Sequence, residues 1–364
     1  MSKVKNKKIN KHSFFIRLAF QKAEINLGST GTNPSVGCVV EKDGSVISTG
    51  MTSINGRPHA EFNSLNKKIN FKGSNLYVTL EPCTHKGLSN PCTDVIIKKK
   101  IKNVFFPIFD IDKRTAKKSV KILNKNKIKV EKGILKNSAI KFYKSYFDYK
   151  KKLLPLIDAK IAISKYFFTK NKKNKWITNI HSRKRVHLLR SKYNCIISTS
   201  KSINEDNSLL NCRIEGMEHK SPDLIIIDRY LILRKDLNIF NNIKKRKIFI
   251  FTKIDNKKRL IFFKKKGIKI IIFKDMNIKK DYTRIFSYIH NLGYSRIFIE
   301  SGLTFLSYLL DNKFINNLYT FKSRNILGKN GFNHTSSGNL KKMNLGSKVD
   351  VNLFEDLLYQ VKIK

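Results

Sequence analysis

Two short stretches decide how this chain is read: Pro58-His59-Ala60-Glu61, and Glu81-Pro82-Cys83 carried through to Pro91-Cys92. Together they offer one imidazole, two thiols and one carboxylate that is not needed as a ligand. Two thiolates and an imidazole hold Zn²⁺ tetrahedrally and leave the fourth position open for water. The metal lowers the pKa of that water, so that hydroxide exists near neutral pH. Glu61 follows His59 by two residues and is left to shuttle protons. A lone His or Cys is usually structural and a random His-x-Glu is common, but four residue types matching in this order are not. Glu81 is a second carboxylate beside the thiols; Glu61 belongs to the His-x-Glu and is the better proton carrier. His85 lies between the two cysteines. An open site needs only three ligands, so His85 reads as a loop or substrate contact.

A His-x-Glu followed by Pro-Cys and a second Cys resembles the signature of the zinc nucleobase deaminases. Most of that class place two residues between the cysteines. Here eight intervene, Thr84-His85-Lys86-Gly87-Leu88-Ser89-Asn90-Pro91. This longer loop, Asn33-Pro34-Ser35-Val36-Gly37 ahead of it and Thr79-Leu80-Glu81-Pro82-Cys83 resemble the bifunctional riboflavin-biosynthesis deaminase/reductase family. That family carries a pyrimidine deaminase followed by a reductase. The resemblance implies an α/β chain whose N-terminal domain is a cytidine-deaminase-like α/β/α fold, with His59, Cys83 and Cys92 on zinc and Glu61 catalytic. It also implies that Asn33 hydrogen-bonds the pyrimidine; an Asn-Pro turn residue is the local alternative.

At 364 residues, the chain is too long for one ordinary core and suits two domains. Hydrophobic residues make up 41%, enough for globular packing, and no apolar run approaches a membrane span. The basic stretch Met1 to Lys11 is followed by no apolar signal core, so no secretion is expected. With Cys83 and Cys92 on the metal, Cys38, Cys195 and Cys212 remain, an odd number that fits reduced thiols in a cytoplasmic protein. The net charge of +49 invites a nucleic-acid reading. However, Lys, Asn, Ile, Phe and Tyr are all abundant and all have A/T-rich codons. The lysines are also spread over many stretches instead of one aromatic-interleaved patch. Mutational bias is the preferred account, with modest steering of phosphorylated substrates as a by-product.

In order, the chain predicts a helix from a Ser13 cap to about Leu27, strands at 36–40 and 46–49 around an Asp43-Gly44 turn, and a helix opened by Pro58. A strand at 75–80 and a helical turn starting at Pro82-Cys83 follow. Such a turn would favour a Cys83 thiolate. A helix at 94–100, a strand at 103–108, a helix at 116–124, a strand at 129–131 and an aromatic helix with Phe142, Tyr146 and Phe147 complete the zinc domain, 12–150. The family's Asp-Pro-Asn-Pro run is here Asp110-Ile111-Asp112-Lys113.

The lysines at 150–152 precede a second domain, 153–364, that alternates strands (156–163, 194–197, 224–227, 247–251, 268–273, 296–299) with helices (182–192, 282–292, 304–310). Alternation argues for an α/β sheet with ligands at strand C-terminal ends. No Gly-x-Gly-x-x-Gly is present, so a Rossmann domain is not supported. Lys160 to Ser164, Trp176-Ile177-Thr178, His187 to Arg190, Ser200-Lys201-Ser202 with Asp206, Leu210 to Arg213 and Glu300-Ser301-Gly302 resemble the family's reductase, a dihydrofolate-reductase-like α/β fold. The resemblance implies that Ala162, Trp176, Ser202 and Asp206 line NADPH, and that Asn174, Arg190, Leu210, Arg213 and Glu300 face the substrate. Two arginines suit a ribose phosphate. The family's Ser-Leu-Asp-Gly is here Ser164-Lys165-Tyr166-Phe167, which removes a turn that lets backbone approach the cofactor closely. Its Asp-Asp-Pro is Asp206-Asn207-Ser208, and its Gly-Gly-x is Ser301-Gly302-Leu303.

The implied chemistry is hydrolytic deamination of 2,5-diamino-6-ribosylamino-pyrimidinone 5′-phosphate, then NADPH-dependent reduction of the ribosyl to a ribityl chain. The expected partner is that phosphorylated pyrimidine, with no specific nucleic acid and no membrane; a homo-oligomer is compatible. Two rivals stay open: an RNA or DNA base deaminase with a degenerate second domain, and a non-catalytic zinc-stabilised binding protein.

Overall fold

A computed structural model describes residues 11–87, 90–335 and 345–364. The chain divides into two compact units, one ending at Leu153 and one running from Leu154 to Lys364.

The first unit runs α1 (Lys11–Ile25), β1 (Gly37–Lys42), β2 (Ser45–Met51), α2 (Ala60–Leu65), β3 (Asn75–Val78), α3 (Cys92–Lys98), β4 (Asn103–Phe106), α4 (Lys118–Lys125), β5 (Lys129–Lys132), α5 (Lys136–Phe142) and α6 (Lys144–Lys150). Its sheet order is β2-β1-β3-β4-β5, antiparallel around β1 and parallel from β3 onward. Alternate residues of the strands feed opposite faces. Val39, Tyr77 and Phe105 pack with Phe15, Ile16 and Ala19 of α1. Cys38, Val40, Leu76, Val78, Val104 and Phe106 pack with Ala60, Leu65, Ile96 and Leu123 on the other face. Each fully buried side chain of this size contributes about 1.5–3 kcal/mol.

Two glycines set how closely the helices lie. A Cβ at Gly37 would stand 1.9 Å from the Ala19 carbonyl oxygen of α1. A Cβ at Gly50 would stand 2.3 Å from the Ala60 carbonyl oxygen. Bare backbone at Gly50 therefore lets α2, with Glu61 on it, press onto β2.

Several local expectations change here. Helix α1 is already formed at Lys11, upstream of the expected Ser13 cap. Pro58 does not open a helix: His59 is extended backbone at the N-cap and α2 begins at Ala60. No helix starts at Cys83; the helix that begins at a metal-type thiol is α3, at Cys92. The aromatic helix is two, α5 and α6, joined at Tyr143. Its aromatic stripe is core, with polar handles: the Tyr143 hydroxyl lies 2.6 Å from Thr79 Oγ1, and the Tyr146 hydroxyl donates to Asp110 Oδ1 at 3.0 Å.

The second unit runs β6 (Leu156–Ile163), β7 (Phe168–Asn171), α7 (Ile180–Arg190), β8 (Cys195–Thr199), α8 (Ser200–Asp206), β9 (Asp223–Ile227), β10 (Ile248–Thr252), α9 (Lys257–Lys265), β11 (Lys269–Ile272), α10 (Lys279–Asn291), β12 (Arg296–Ile299), α11 (Leu303–Asp311), β13 (Asn317–Lys322), β14 (Gly331–His334), β15 (Ser347–Lys348) and β16 (Leu357–Lys362). Nine strands form one sheet in the order β11-β10-β9-β8-β12-β6-β13-β16-β15. It is parallel from β11 to β13, and β16 is antiparallel to both β13 and β15. Near-continuous apolar runs such as Ile248 to Phe251 form the central strands because both faces are covered. Strands β7, β13, β14, β15 and β16 and helices α8 and α9 lay outside the expected pattern. Strand β7 pairs with β14 in a separate two-stranded sheet, which sequence spacing does not reveal.

Candidate active sites

In the first unit the chain brings His59, Cys83 and Cys92 into one cluster. Their ligand atoms all lie within 4.8 Å of one another. The sulfurs of Cys83 and Cys92 are 3.5 and 3.4 Å from His59 Nδ1, and the Cys92 N–H donates to Cys83 Sγ at 3.3 Å. The three come from the N-cap of α2, a loop after β3 and the first residue of α3. One nitrogen and two soft sulfurs are a zinc-type donor set with a fourth tetrahedral position left over, so the residues present fit the metal. The thiols share protons unequally. The hydrogen bond from Cys92 holds the Cys83 thiol well below its ordinary range, against its own burial. The same bond, then burial, pushes Cys92 up.

Glu61 is buried on α2 beside this cluster. Burial first, then the charge of Cys83, pushes its carboxyl up to about 7, while His59 pulls it down. A carboxyl that exists in both forms near neutrality can take and return a proton.

Glu81 does something else. Its Oε2 accepts from the backbone N–H groups of Asp110 (3.1 Å) and Lys117 (3.0 Å). Its Oε1 accepts from the N–H (3.2 Å) and hydroxyl (2.8 Å) of Ser119. The carboxylate thus ties the segment after β4 and the start of α4 to the loop that carries Cys83. His85 turns to that same segment after β4, 3.1 Å from Thr115 Oγ1, and is not in the ligand cluster. Asp110 faces inward to Tyr146. Asn33 donates to the Gly56 carbonyl at 3.1 Å, beside the turn that leads to His59.

In the second unit one connected network gathers at the C-terminal ends of β6 and β12. Arg190 of α7 donates to Glu300 through Nε (2.5 Å to Oε1) and Nη2 (2.9 Å to Oε2), and through Nη1 to the Asn211 carbonyl at 2.9 Å. Lys160 Nζ reaches Glu300 Oε2 at 3.4 Å. Burial alone would push the Glu300 carboxyl up; Arg190 and then Lys160 outweigh it and hold it down to about 2. His187 lies 2.9 Å from the Asn211 carbonyl, and burial, then Arg190 and Arg213, push it down to about 4. Arg213 donates to Asn211 Oδ1 at 2.8 Å.

Arg190, expected to face the substrate, is buried and engaged by Glu300 and Asn211. The Leu210 side chain is in the core, and its carbonyl accepts from Arg246 at 2.6 Å. Lys160 was missed as a polar site residue because it was read only as part of a strand.

On the neighbouring edge, Ser202 accepts from the Thr199 hydroxyl at 3.0 Å and from the Gly302 N–H at 2.9 Å. A Cβ at Gly302 would stand 3.3 Å from Ser202 Oγ, so the corner between α8 and α11 is bare. The Trp176 indole is 48% exposed, not core, with the Arg183 guanidinium 4.5 Å from its ring centre. Asn174 accepts from the Trp176 N–H at 2.9 Å, which fixes the local turn. Lys175 Nζ donates to the Asp206 carbonyl at 2.5 Å. Ala162 is half-buried on β6. The turn expected to be lost after Ser164 is present: Phe167 takes φ 65°, and the Phe168 N–H donates to Ser164 Oγ at 3.0 Å. A non-glycine residue there costs roughly 1–2 kcal/mol.

The first part of the chain, residues 9–108, matches the family model of the cytidine and deoxycytidylate deaminase zinc-binding region. Residues 158–355 match that of the RibD C-terminal domain. The riboflavin biosynthesis protein RibD of Aquifex aeolicus is 31% identical over 318 residues, 86% of this chain and 87% of that protein. Its counterpart in Actinobacillus pleuropneumoniae is 28% identical over 86% of this chain and 84% of that protein. Among solved structures, the Thermotoga maritima diaminohydroxyphosphoribosylaminopyrimidine deaminase/5-amino-6-(5-phosphoribosylamino)uracil reductase superposes with a TM-score of 0.81. At 24% identity, covering 97% of this chain and 99% of that one, it shows the shared fold.

Proposed function

The chain belongs to the RibD family of riboflavin biosynthesis, and from that membership we propose how its own residues carry the family's two steps. It is a zinc deaminase joined to an NADPH-dependent reductase. The zinc unit, 12–150, deaminates 2,5-diamino-6-ribosylamino-pyrimidinone 5′-phosphate. The reductase unit, 153–364, converts the ribosyl of the product to ribityl. The observation that carries the first assignment is the convergence of His59, Cys83 and Cys92 beside a buried Glu61.

Zinc, held by His59, Cys83 and Cys92, supplies the Lewis acidity that lowers the pKa of water. Glu61 takes the proton from the attacking water and delivers it to the departing ammonia. Asn33 orients the pyrimidine. Glu81 keeps the segment from Asp110 to Ser119 against the loop that carries Cys83.

NADPH supplies the hydride, and the protein's part is to position donor and acceptor. Ala162, Trp176, Ser202 and Asp206 line the cofactor, with Gly302 leaving the corner open. Asn174 and Arg213 face the substrate, and Arg213 takes its phosphate. Arg190 and Lys160 hold Glu300 ionised at the edge of that cleft.

Cys38, Cys195 and Cys212, the cysteines outside the zinc set, are in no disulfide, which supports a reducing, cytoplasmic setting. No specific nucleic acid is assigned as a partner, because the lysines are spread over many stretches instead of one patch.

The test is direct. The purified protein is incubated with the diaminopyrimidine phosphate, with and without NADPH, and the products are identified. Deaminated product without NADPH and ribityl product with it support the reading. Deamination with no oxidation of NADPH would leave the second unit without the assigned reaction. Arg213→Ala should weaken use of the phosphorylated substrate by a few kcal/mol, the scale of a charge-assisted bond, and leave deamination unchanged.

A further inference from the structure

The loop from Leu209 to Arg213 is unusual in where its carbonyl oxygens go. Arg246 donates to the carbonyls of Leu209 and Leu210, the latter at 2.6 Å, and to that of Pro222 at 3.1 Å. Arg190 donates to the next carbonyl, that of Asn211, at 2.9 Å. Three consecutive carbonyl oxygens are thus held by two guanidinium groups. Leu210 sits at φ 49°, a left-handed conformation that a branched side chain does not adopt unless its surroundings enforce it. The Leu210 side chain is buried in the core, so the loop is fixed from both its polar and its apolar side. The last link is Asn211, whose Oδ1 receives the Arg213 guanidinium at 2.8 Å.

Arg246 lies at the end of the 3-10 segment Asn238–Lys245 and just before β10. Its position follows from that strand, not from the loop it holds. A lysine there has a single nitrogen and cannot span two successive carbonyls and a third across the turn.

We infer that Arg246 is a positioning residue of the reductase. By holding the Leu209 and Leu210 carbonyls inward, it forces the loop geometry that presents Asn211 and aims Arg213 at the substrate phosphate. This rests on the assignment of Arg213 to the substrate, and it adds a residue that touches neither substrate nor cofactor.

The test uses the full-length protein, 5-amino-6-(5-phosphoribosylamino)uracil and NADPH. Arg246→Ala should raise the KM for the uracil phosphate by about tenfold or more, and leave the KM for NADPH and the deaminase kcat/KM within about twofold. Millimolar guanidinium chloride should lower the raised KM toward the wild-type value, whereas sodium chloride at the same ionic strength should not. An unchanged uracil phosphate KM would overturn the inference. So would parallel loss of NADPH binding and deamination, which reports general destabilisation. If Arg246→Ala does not yield folded protein, Arg246→Lys decides: a raised uracil phosphate KM supports the inference and a wild-type KM refutes it. Arg213→Ala, measured alongside, separates the two levels. If it raises the KM and Arg246→Ala does not, only the present inference fails. If neither raises it, the loop is not a substrate loop and the underlying assignment fails.

Discussion

The two centres of this protein are built on opposite plans. At His59, Cys83 and Cys92, three donors face one another and are complete only with a metal. At Arg190, Glu300 and Lys160, one carboxylate is already held between two cations within the protein. The first is a site whose protein groups converge on one point, as a metal's ligands do. The second is a site whose groups hold each other in place. Substitutions should therefore act on chemistry in the first and on stability in the second.

The largest expected effect tests the first half of that contrast. Glu61→Gln should keep zinc and lose deamination by about two to four decades, the range for a general acid–base group. Metal analysis and ammonia release measure the two quantities separately. Cys83→Ser should lose the metal itself. Full activity in Glu61→Gln would remove the proton carrier from the mechanism.

The second half is tested by Arg190→Met. Removing one partner of a buried ion pair leaves a charge without adequate compensation and costs about 3–5 kcal/mol. Unfolding of the second unit in urea should report that loss. Adding Glu300→Leu in the same chain should recover much of it, because the carboxylate left with Lys160 alone is gone. A single variant as stable as wild type would mean that the pair is not holding the cleft.

pH sharpens the same point. Glu300 is held down to about 2 from an ordinary value of 4.5. A depressed carboxyl stabilises the fold above its unfolded pKa, and that contribution is lost as pH falls through the folded value. The stability gap between wild type and Glu300→Gln should accordingly narrow by about 3 kcal/mol between pH 5 and 2. A gap that stays constant over that window would mean the carboxyl is not ionised in the fold.

The smallest effect concerns the surface that both units share in composition. Binding to random duplex or single-stranded nucleic acid should be weak and should vanish by physiological salt. Tight, structure-selective RNA binding at that salt would favour a nucleic-acid deaminase instead.

Much of this was legible in residue identities and order. His-x-Glu and the two Pro-Cys pairs are chemistry written locally, and zinc demands that donor set wherever the chain places it. Apolar runs such as Ile248 to Phe251 and the spacing of strands and helices marked an α/β chain of two parts, because a strand covered on both faces is apolar throughout. The family resemblance then supplied the order of deaminase and reductase, which the relatives bear out. Partnership was not legible. Arg190 reads equally well as a phosphate ligand or as half of a buried pair, and Glu300, its partner, is 110 residues away. Arg246 and the Leu209 to Asn211 carbonyls carry no shared motif at all. Nor does residue type reveal that Phe167 stands in a left-handed turn where glycine was expected, or that α3 begins at Cys92 while Cys83 lies in a loop. Propensity and periodicity act over a few residues, whereas a buried charge takes its meaning from whatever distant group the fold sets within hydrogen-bond reach. That choice belongs to the tertiary structure alone.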